Sequence, residues 1–178
     1  MKTYGFFDEM LIDSAQKTKE IDGVKDAAYR LKDAGIPLVM TTGYFRNMVD
    51  ATRKKLPWLD DVLLASFTSS DVKAGRPAPY LIYRAMEAAL VENPAYAVNA
   101  GDTESADNAF MPGITVTSGS LNKENAIKLN ETLGREHLVL PSLVEIINLE
   151  RQNPTDICLS CLYDLANDNG IYIGLTEY

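Results

Sequence analysis

The fold class follows from one short stretch, Gly35-Ile36-Pro37-Leu38-Val39-Met40-Thr41-Thr42-Gly43. Its apolar part, residues 36–40, predicts a strand that is buried on both faces, as strands are in parallel sheets. Before it, residues 24–34 carry apolar side chains at helical spacing, and Gly35 suits the position just past a helix C-terminus. After it, residues 45–55 resume a helical pattern. Helix, buried strand and helix in succession indicate an α/β fold with crossover helices.

The same alternation continues along the chain. Short apolar runs predict further strands at 62–66, 96–100, 114–117 and 157–163, and helical patterns occupy 3–20, 79–90, 123–133 and 142–148. We therefore expect a Rossmann-like three-layer α/β/α sandwich with a mainly parallel central sheet, folded as a single domain over residues 1–178. His137, the only histidine, lies in a polar stretch that predicts a surface loop.

Composition and charge exclude several classes of function. There are 17 Lys and Arg against 25 Asp and Glu, a formal charge of −8, whereas a broad nucleic-acid surface needs clustered basic side chains. No apolar run approaches the roughly 20 residues of a membrane-spanning helix, and the N-terminus lacks a signal-peptide pattern. We expect a cytoplasmic protein that binds neither nucleic acid nor membranes. Cys158 and Cys161 fall in an apolar run and are expected to be buried thiols.

Polar residues follow several of the predicted strands. In open α/β sheets ligands bind outside the carboxyl ends of the strands, so these residues are the candidates for a site. The segments are Thr41-Thr42-Gly43, Lys73-Ala74-Gly75-Arg76-Pro77, Gly101-Asp102-Thr103 with Asp107, and Tyr163-Asp164. Each alone fits an ordinary turn or helix cap. Their combination is what indicates chemistry.

Together the segments favour phosphoryl transfer. A threonine hydroxyl and backbone N–H groups can donate to phosphoryl oxygens, and the guanidinium of Arg76 supplies a fixed positive fork. The carboxylates of Asp102 and Asp107 suit Mg²⁺, which prefers oxygen ligands. An aspartate can also be the nucleophile, through an aspartyl-phosphate.

The order of these segments resembles the haloacid dehalogenase-like (HAD) hydrolases, most closely their phosphonoacetaldehyde hydrolase (phosphonatase) branch. Residues 35–44, 71–80 and 101–103 carry the resemblance. It implies that Thr42, or Thr41, holds the phosphate-binding hydroxyl position beside Gly43, that Arg76 is the phosphate-binding cation, and that Asp102 is a magnesium ligand. The motif that begins with Asp102 has a second acidic residue in close relatives of this branch. Ala106 stands at that position here, and Asp107, one residue later, fits a variant spacing of the wider superfamily.

The resemblance also implies a central strand ending in the nucleophile, which opens the chain in family members. Residues 1–20 instead resemble the helix at the end of the family's cap domain. The segment 157–178 is then the candidate replacement, with 157–163 as the strand. Asp164-Leu165-Ala166 matches the nucleophile motif, while Asn167-Asp168 departs from it. This describes a circularly permuted core. The alternatives are a truncated relative whose tail packs elsewhere, and a homodimer in which a second copy supplies the strand.

By this resemblance the substrate is a phosphorylated small molecule that Asp164 attacks at phosphorus. Mg²⁺ would be held by Asp164, the carbonyl of Ala166 and Asp102, with Asp107 assisting. No residue matches the cap lysine of phosphonatases, so phosphomonoester hydrolysis is the expected reaction. The alternative from another class is a non-catalytic pseudoenzyme that binds phosphate or a metabolite.

Overall fold

The computed structural model describes residues 19–101, 105–118, 121–134, 137–148 and 172–175. Strands and helices alternate through these ranges, as the sequence predicts. The helices are α1 Val24–Asp33, α2 Arg46–Lys55, α3 Trp58–Val62, α4 Tyr80–Ala88, α5 Ser105–Asn108, α6 Lys123–Leu133 and α7 Val144–Asn148. The strands are β1 Leu38–Thr41, β2 Leu63–Phe67, β3 Ala97–Gly101, β4 Gly113–Val116, β5 Leu138–Leu140 and β6 Tyr172–Leu175.

The strands form one sheet in the order β2-β1-β6-β3-β4-β5, and every pairing between them is parallel. Leu38 and Val39, adjacent in β1, point into different core clusters because side chains alternate across a strand. One cluster packs α1, α3 and α7 against the sheet, and the other packs α4 and the residues around α5. The α/β sandwich expected from the sequence is thereby confirmed.

The centre of the sheet is filled by β6, which comes from near the C-terminus. It pairs with β1 on one side, with Leu38 opposite Ile173, and with β3 on the other, with Ala97 opposite Tyr172. The strand therefore belongs to the segment 157–178, but it lies later than the expected 157–163, a run that is outside the described residues. Because the chain itself fills this position, a second copy is not required for it.

Three short elements and one side chain differ from the sequence expectation. Helices α3 and α5 and strand β5 were not predicted, because five, four and three residues are too few to display a period. His137 lies in a loop just before β5, as expected, but its side chain is not at the surface. The imidazole is only 10% exposed, because it lies over Gly113, where a Cβ would come within 2.3 Å of its Cε1 atom.

Three helix ends close in the same way, with the second residue after the helix in the left-handed conformation. Gly35 ends α1 with φ of 77°, as expected, but Leu90 and Phe110 hold the equivalent places after α4 and α5 with φ of 58° and 55°. In each case the next amide donates to a carbonyl five residues earlier, at 2.9–3.0 Å. The side chains of Leu90 and Phe110 are 88% and 87% exposed. Both therefore carry backbone strain with little burial to offset it.

Replacing Phe110 with glycine should stabilise the protein by about 1 kcal/mol, because only glycine adopts this conformation without a Cβ clash. Denaturant unfolding measures the change in the free energy of unfolding. Phe110→Ala is the matched control, since it removes the exposed ring but keeps the Cβ. A glycine variant no more stable than the alanine variant would show that φ at this position carries no strain.

Candidate functional site

The carboxyl end of β1 places two buried threonines at the edge of the sheet. Thr41 is the last residue of the strand, and the amide of Thr42 donates to the carbonyl of Phe67 at 3.0 Å, next to β2. The hydroxyl oxygen of Thr42 accepts from the amide of Tyr44 at 3.2 Å. This bond uses the oxygen of the hydroxyl and not its hydrogen. Gly43 is exposed, and a Cβ there would meet no atom within 4 Å, so its backbone is open to approach.

Arg76 reaches the same edge from the loop between β2 and α4. Its Nη2 atom donates to the carbonyl oxygen of Thr41 at 2.6 Å. The loop is also held from α5, where the side-chain amide of Asn108 donates to the carbonyl of Pro77 at 2.8 Å. The structure therefore brings Arg76 to Thr41 and Thr42, which lie more than thirty residues before it in the sequence.

The remaining site residues are only partly described. Gly101 ends β3 at the same edge, separated from β1 by the single strand β6. Asp102, which follows it, and Asp164 and Ala166 lie outside the described residues, so their placement stays a prediction. Among the residues that are described, no group of three His, Cys, Asp or Glu side chains could hold a metal ion.

Asp107 forms a contact with His137. One carboxylate oxygen lies 3.0 Å from Nε2 of His137. The neighbouring side chain, Asn108, is the one that contacts the Arg76 loop, because successive helical side chains point about 100° apart. A role of Asp107 as a magnesium ligand would require the carboxylate to be shared with the imidazole.

A polar network beside the site was not predicted from the sequence. The carboxylate of Asp71 accepts from the amide and the hydroxyl of Thr68, at 2.7 and 2.8 Å, and pairs with the guanidinium of Arg46. Burial, the largest single influence, raises the pKa of Asp71. The hydrogen bonds from Thr68 and the charge of Arg46 together outweigh it and hold this pKa below its usual range. The spacing Thr68-x-x-Asp71 is a capping-box pattern and was the available signal.

Asp71→Asn should lower the free energy of unfolding by about 1 kcal/mol at neutral pH, the usual worth of such a cap. Since the pKa of Asp71 is lower in the folded protein, its contribution is present above the ordinary aspartate value of 3.8 and is lost as the pH falls through the lowered value. Unfolding curves at several pH values measure this. Asp60→Asn, which removes a more exposed partner of Arg53, should change stability less. An equal loss in both variants would contradict the assignment.

Comparison with known proteins gives one consistent result. Residues 7–107 match a family model described as haloacid dehalogenase-like hydrolase. The chain is 30% identical over 155 residues to a phosphonoacetaldehyde hydrolase of Bacillus mycoides, which covers 83% of this chain and 57% of that protein. It is 30% identical over 185 residues to one of Lysinibacillus sphaericus, covering 86% of this chain and 68% of that protein.

The fold has a solved counterpart as well. A phosphonoacetaldehyde hydrolase-like protein from Oleispira antarctica superposes with a TM-score of 0.73 at 18% identity, over 94% of this chain and 66% of that one. The chain thus spans little more than half of one curated relative and about two thirds of the others compared here. None of the helices in the described part of the chain is long and apolar enough to cross a membrane. Because the family model matches residues 7–107, which are more than half of the chain, the chain belongs to the haloacid dehalogenase-like hydrolases.

Proposed function

We propose that the protein is a magnesium-dependent hydrolase that releases phosphate from a phosphorylated small molecule through an aspartyl-phosphate. The observation that carries the proposal is the contact of Arg76 with the carbonyl of Thr41, at 2.6 Å. It sets a guanidinium at the carbonyl of Thr41, one residue before Thr42, at the carboxyl edge where α/β sheets bind ligands. A cationic fork next to a hydroxyl donor suits the oxygens of a phosphoryl group.

The open backbone at Gly43 adds room for the substrate. Because no atom lies within 4 Å of the position a Cβ would take there, a phosphoryl group can approach the chain closely. The exposed rings of Tyr44 and Phe45 follow directly. They give the opening an apolar border, which favours an organic phosphate over the bare anion.

For the nucleophile we propose Asp164, because Asp164-Leu165-Ala166 matches the motif of the family. The position of β6 introduces a second candidate. Asp164 precedes this central strand by eight residues, whereas the first carboxylate after it in the sequence is Glu177. Family members carry the nucleophile after the central strand, so Glu177 is the residue against which Asp164 must be compared. Both lie outside the described residues.

The donor set proposed for the metal fits magnesium chemically. The carboxylates of Asp102 and Asp164 and the carbonyl of Ala166 offer only oxygen, the ligand type that Mg²⁺ prefers. When bound, the ion would neutralise charge on the phosphoryl oxygens. Asp107 joins this set only if it shares its carboxylate with His137, as its 3.0 Å contact requires.

The proposed reaction proceeds in two displacements. The carboxylate of Asp164 forms a bond to phosphorus as the ester P–O bond breaks, and the leaving oxygen takes up a proton. Water then forms a bond to phosphorus and gives up a proton to the solvent, while the bond between Asp164 and phosphorus breaks and phosphate is released. Thr42 and Arg76 hold the phosphoryl oxygens through both steps. Ala166 stands where most relatives have a proton-donating acid, so we expect slow turnover of poor leaving groups, unless Asp168 supplies the proton.

Removal of magnesium tests the proposal with p-nitrophenyl phosphate, whose leaving group needs no proton donor. We expect hydrolysis to fall to the enzyme-free rate in excess EDTA and to return when Mg²⁺ is added in excess. Phosphonoacetaldehyde, the substrate named for the relatives, is assayed in parallel and should react more slowly, since the chain has no match to the cap lysine. Hydrolysis that is unchanged by EDTA would contradict the magnesium dependence. Binding of phosphate without any hydrolysis would favour the pseudoenzyme.

A further inference from the structure

The two loops that carry the candidate phosphate-binding groups are both tied to the side chain of Arg46. Arg46 is the first residue of α2, four residues after Thr42. Its Nη1 atom donates to the hydroxyl of Ser66 at 3.1 Å, and its Nη2 atom donates to the carbonyl of Ser66 at 3.0 Å. Nη2 also donates to the carboxylate of Asp71. One guanidinium therefore joins the start of α2 to the end of β2 and to the turn beyond it.

That turn, residues 69–71, is fastened by a second set of hydrogen bonds. The amide and the hydroxyl of Thr68 both donate to the carboxylate of Asp71, which closes the turn on itself. The amide and the hydroxyl of Ser69 both donate to the carbonyl of Tyr44, at 3.2 and 3.0 Å. The turn is thus held against the loop that follows β1.

Arg76 lies only five residues beyond Asp71, so its placement depends on where the turn is held. Gly75 packs back onto the turn, since a Cβ on it would lie 3.9 Å from Cβ of Ser69. On the far side, Asn108 holds the carbonyl of Pro77. A short loop fixed at both ends has little freedom to move its guanidinium away from β1.

We propose that Arg46 is a positioning residue, which sets the guanidinium of Arg76 beside Thr42 by holding Asp71 and its turn. The planar fork of arginine suits this task because it serves Ser66 and Asp71 together, whereas a lysine is a point donor. The hydrogen bonds of Arg46 with Ser66 and Asp71 do not depend on the proposed function. Only its consequence for phosphate binding rests on the proposed function.

Amide hydrogen exchange tests the positioning without any ligand. In Arg46→Met the amides of residues 72–76 and of Ala78 should exchange roughly tenfold faster or more, because the loop opens more easily. The amide of Ala78, bonded to the carbonyl of Gly75 at 3.1 Å, is the reporter. Arg53→Met is the matched control, since Arg53 also donates to the Ser66 hydroxyl at 3.1 Å but has no bond to Asp71 among the described contacts. Wild-type exchange in Arg46→Met would overturn the proposal.

Binding of inorganic phosphate, measured by calorimetry with Mg²⁺ present, tests the link to Arg76. Arg46→Met should raise the Kd roughly tenfold, as for loss of one charge-assisted hydrogen bond, and Arg46→Lys should restore part of the loss. In an Arg76→Met background, Arg46→Met should add nothing. Additive losses would overturn the proposal. If Arg46→Met does not fold, Asp71→Asn breaks the same contact from the other side.

These two measurements separate failure of the inference from failure of the proposed function. A wild-type protein that binds no phosphate would contradict the proposed function, and the exchange rates of residues 72–76 and of Ala78 would still decide the role of Arg46. Faster exchange with unchanged phosphate affinity would mean that Arg46 stabilises the loop but does not position Arg76, and this would overturn the proposal.

Discussion

Replacing Asp164 with asparagine should lower the magnesium-dependent hydrolysis of p-nitrophenyl phosphate by at least about 10³-fold. Asparagine keeps the size of the side chain but has no carboxylate to form the bond to phosphorus. The rate of p-nitrophenol release, compared with the enzyme-free rate, measures the loss. No covalent phosphoenzyme should form in this variant.

Two matched variants make this result specific. Glu177→Gln should keep most of the activity, although Glu177 is the first carboxylate after β6 in the sequence. Asp168→Asn should change the rate with p-nitrophenyl phosphate little, because that leaving group needs no proton donor. If Asp164→Asn is active and Glu177→Gln is inactive, the nucleophile is Glu177, after the central strand, and the assignment to Asp164 is wrong.

Replacing Arg76 with methionine should lower kcat/KM for the same substrate by about 10²–10³-fold, the usual loss when one donor to a charged transition state is removed. Its guanidinium contacts the carboxyl end of β1. KM should rise and kcat should fall, since the contact between Arg76 and the phosphoryl group forms in the bound substrate and strengthens as charge develops.

Arg76→Lys and Lys73→Met serve as controls. The lysine variant keeps the charge without the fork and should lie between the wild type and Arg76→Met. Lys73 belongs to the same loop but is exposed, and its loss should leave kcat/KM near the wild-type value. Equal losses in Lys73→Met and Arg76→Met would mean that the loop contributes general positive charge and no specific contact.

The sequence predicted the parts of the fold that local patterns encode. β1 was expected as a strand buried on both faces, and all four of its residues are buried. α6 begins and ends where its period indicates, and Gly35 holds the left-handed position after α1. In each case a short window contains the whole signal, whether it is a period, an apolar run or a glycine.

The central strand could not be located in this way. Two apolar runs near the C-terminus, 157–163 and 172–175, both suit a buried strand, and the longer one has the stronger local pattern. Which run enters the gap between β1 and β3 is decided by pairing on both sides at once, with Ile173 opposite Leu38 and Val98. That is a tertiary preference, and no window of sequence contains it.

The candidate site also has a part that the sequence predicts and a part that only the structure shows. Thr42 and Arg76 were predicted as site residues because the carboxyl ends of parallel strands meet at one edge, a rule that needs only the order of strands. The structure brings Arg76 to the end of β1, and the roles of both residues stay a prediction. The contacts of Arg46 with Asp71 and of Asp107 with His137 join residues 25 and 30 positions apart, and no spacing rule connects such pairs. Side chains that orient a site are chosen by packing around it, so the structure is needed to find them.

A crystal structure with Mg²⁺ and orthovanadate tests the central claim most directly, because vanadate takes the place of the transferring phosphoryl group. We expect vanadate at the carboxyl end of β1, bonded to the hydroxyl of Thr42 and the guanidinium of Arg76, with the magnesium ion held by Asp102 and Asp164. Vanadate bound elsewhere, or Asp164 remote from Asp102, would contradict the account.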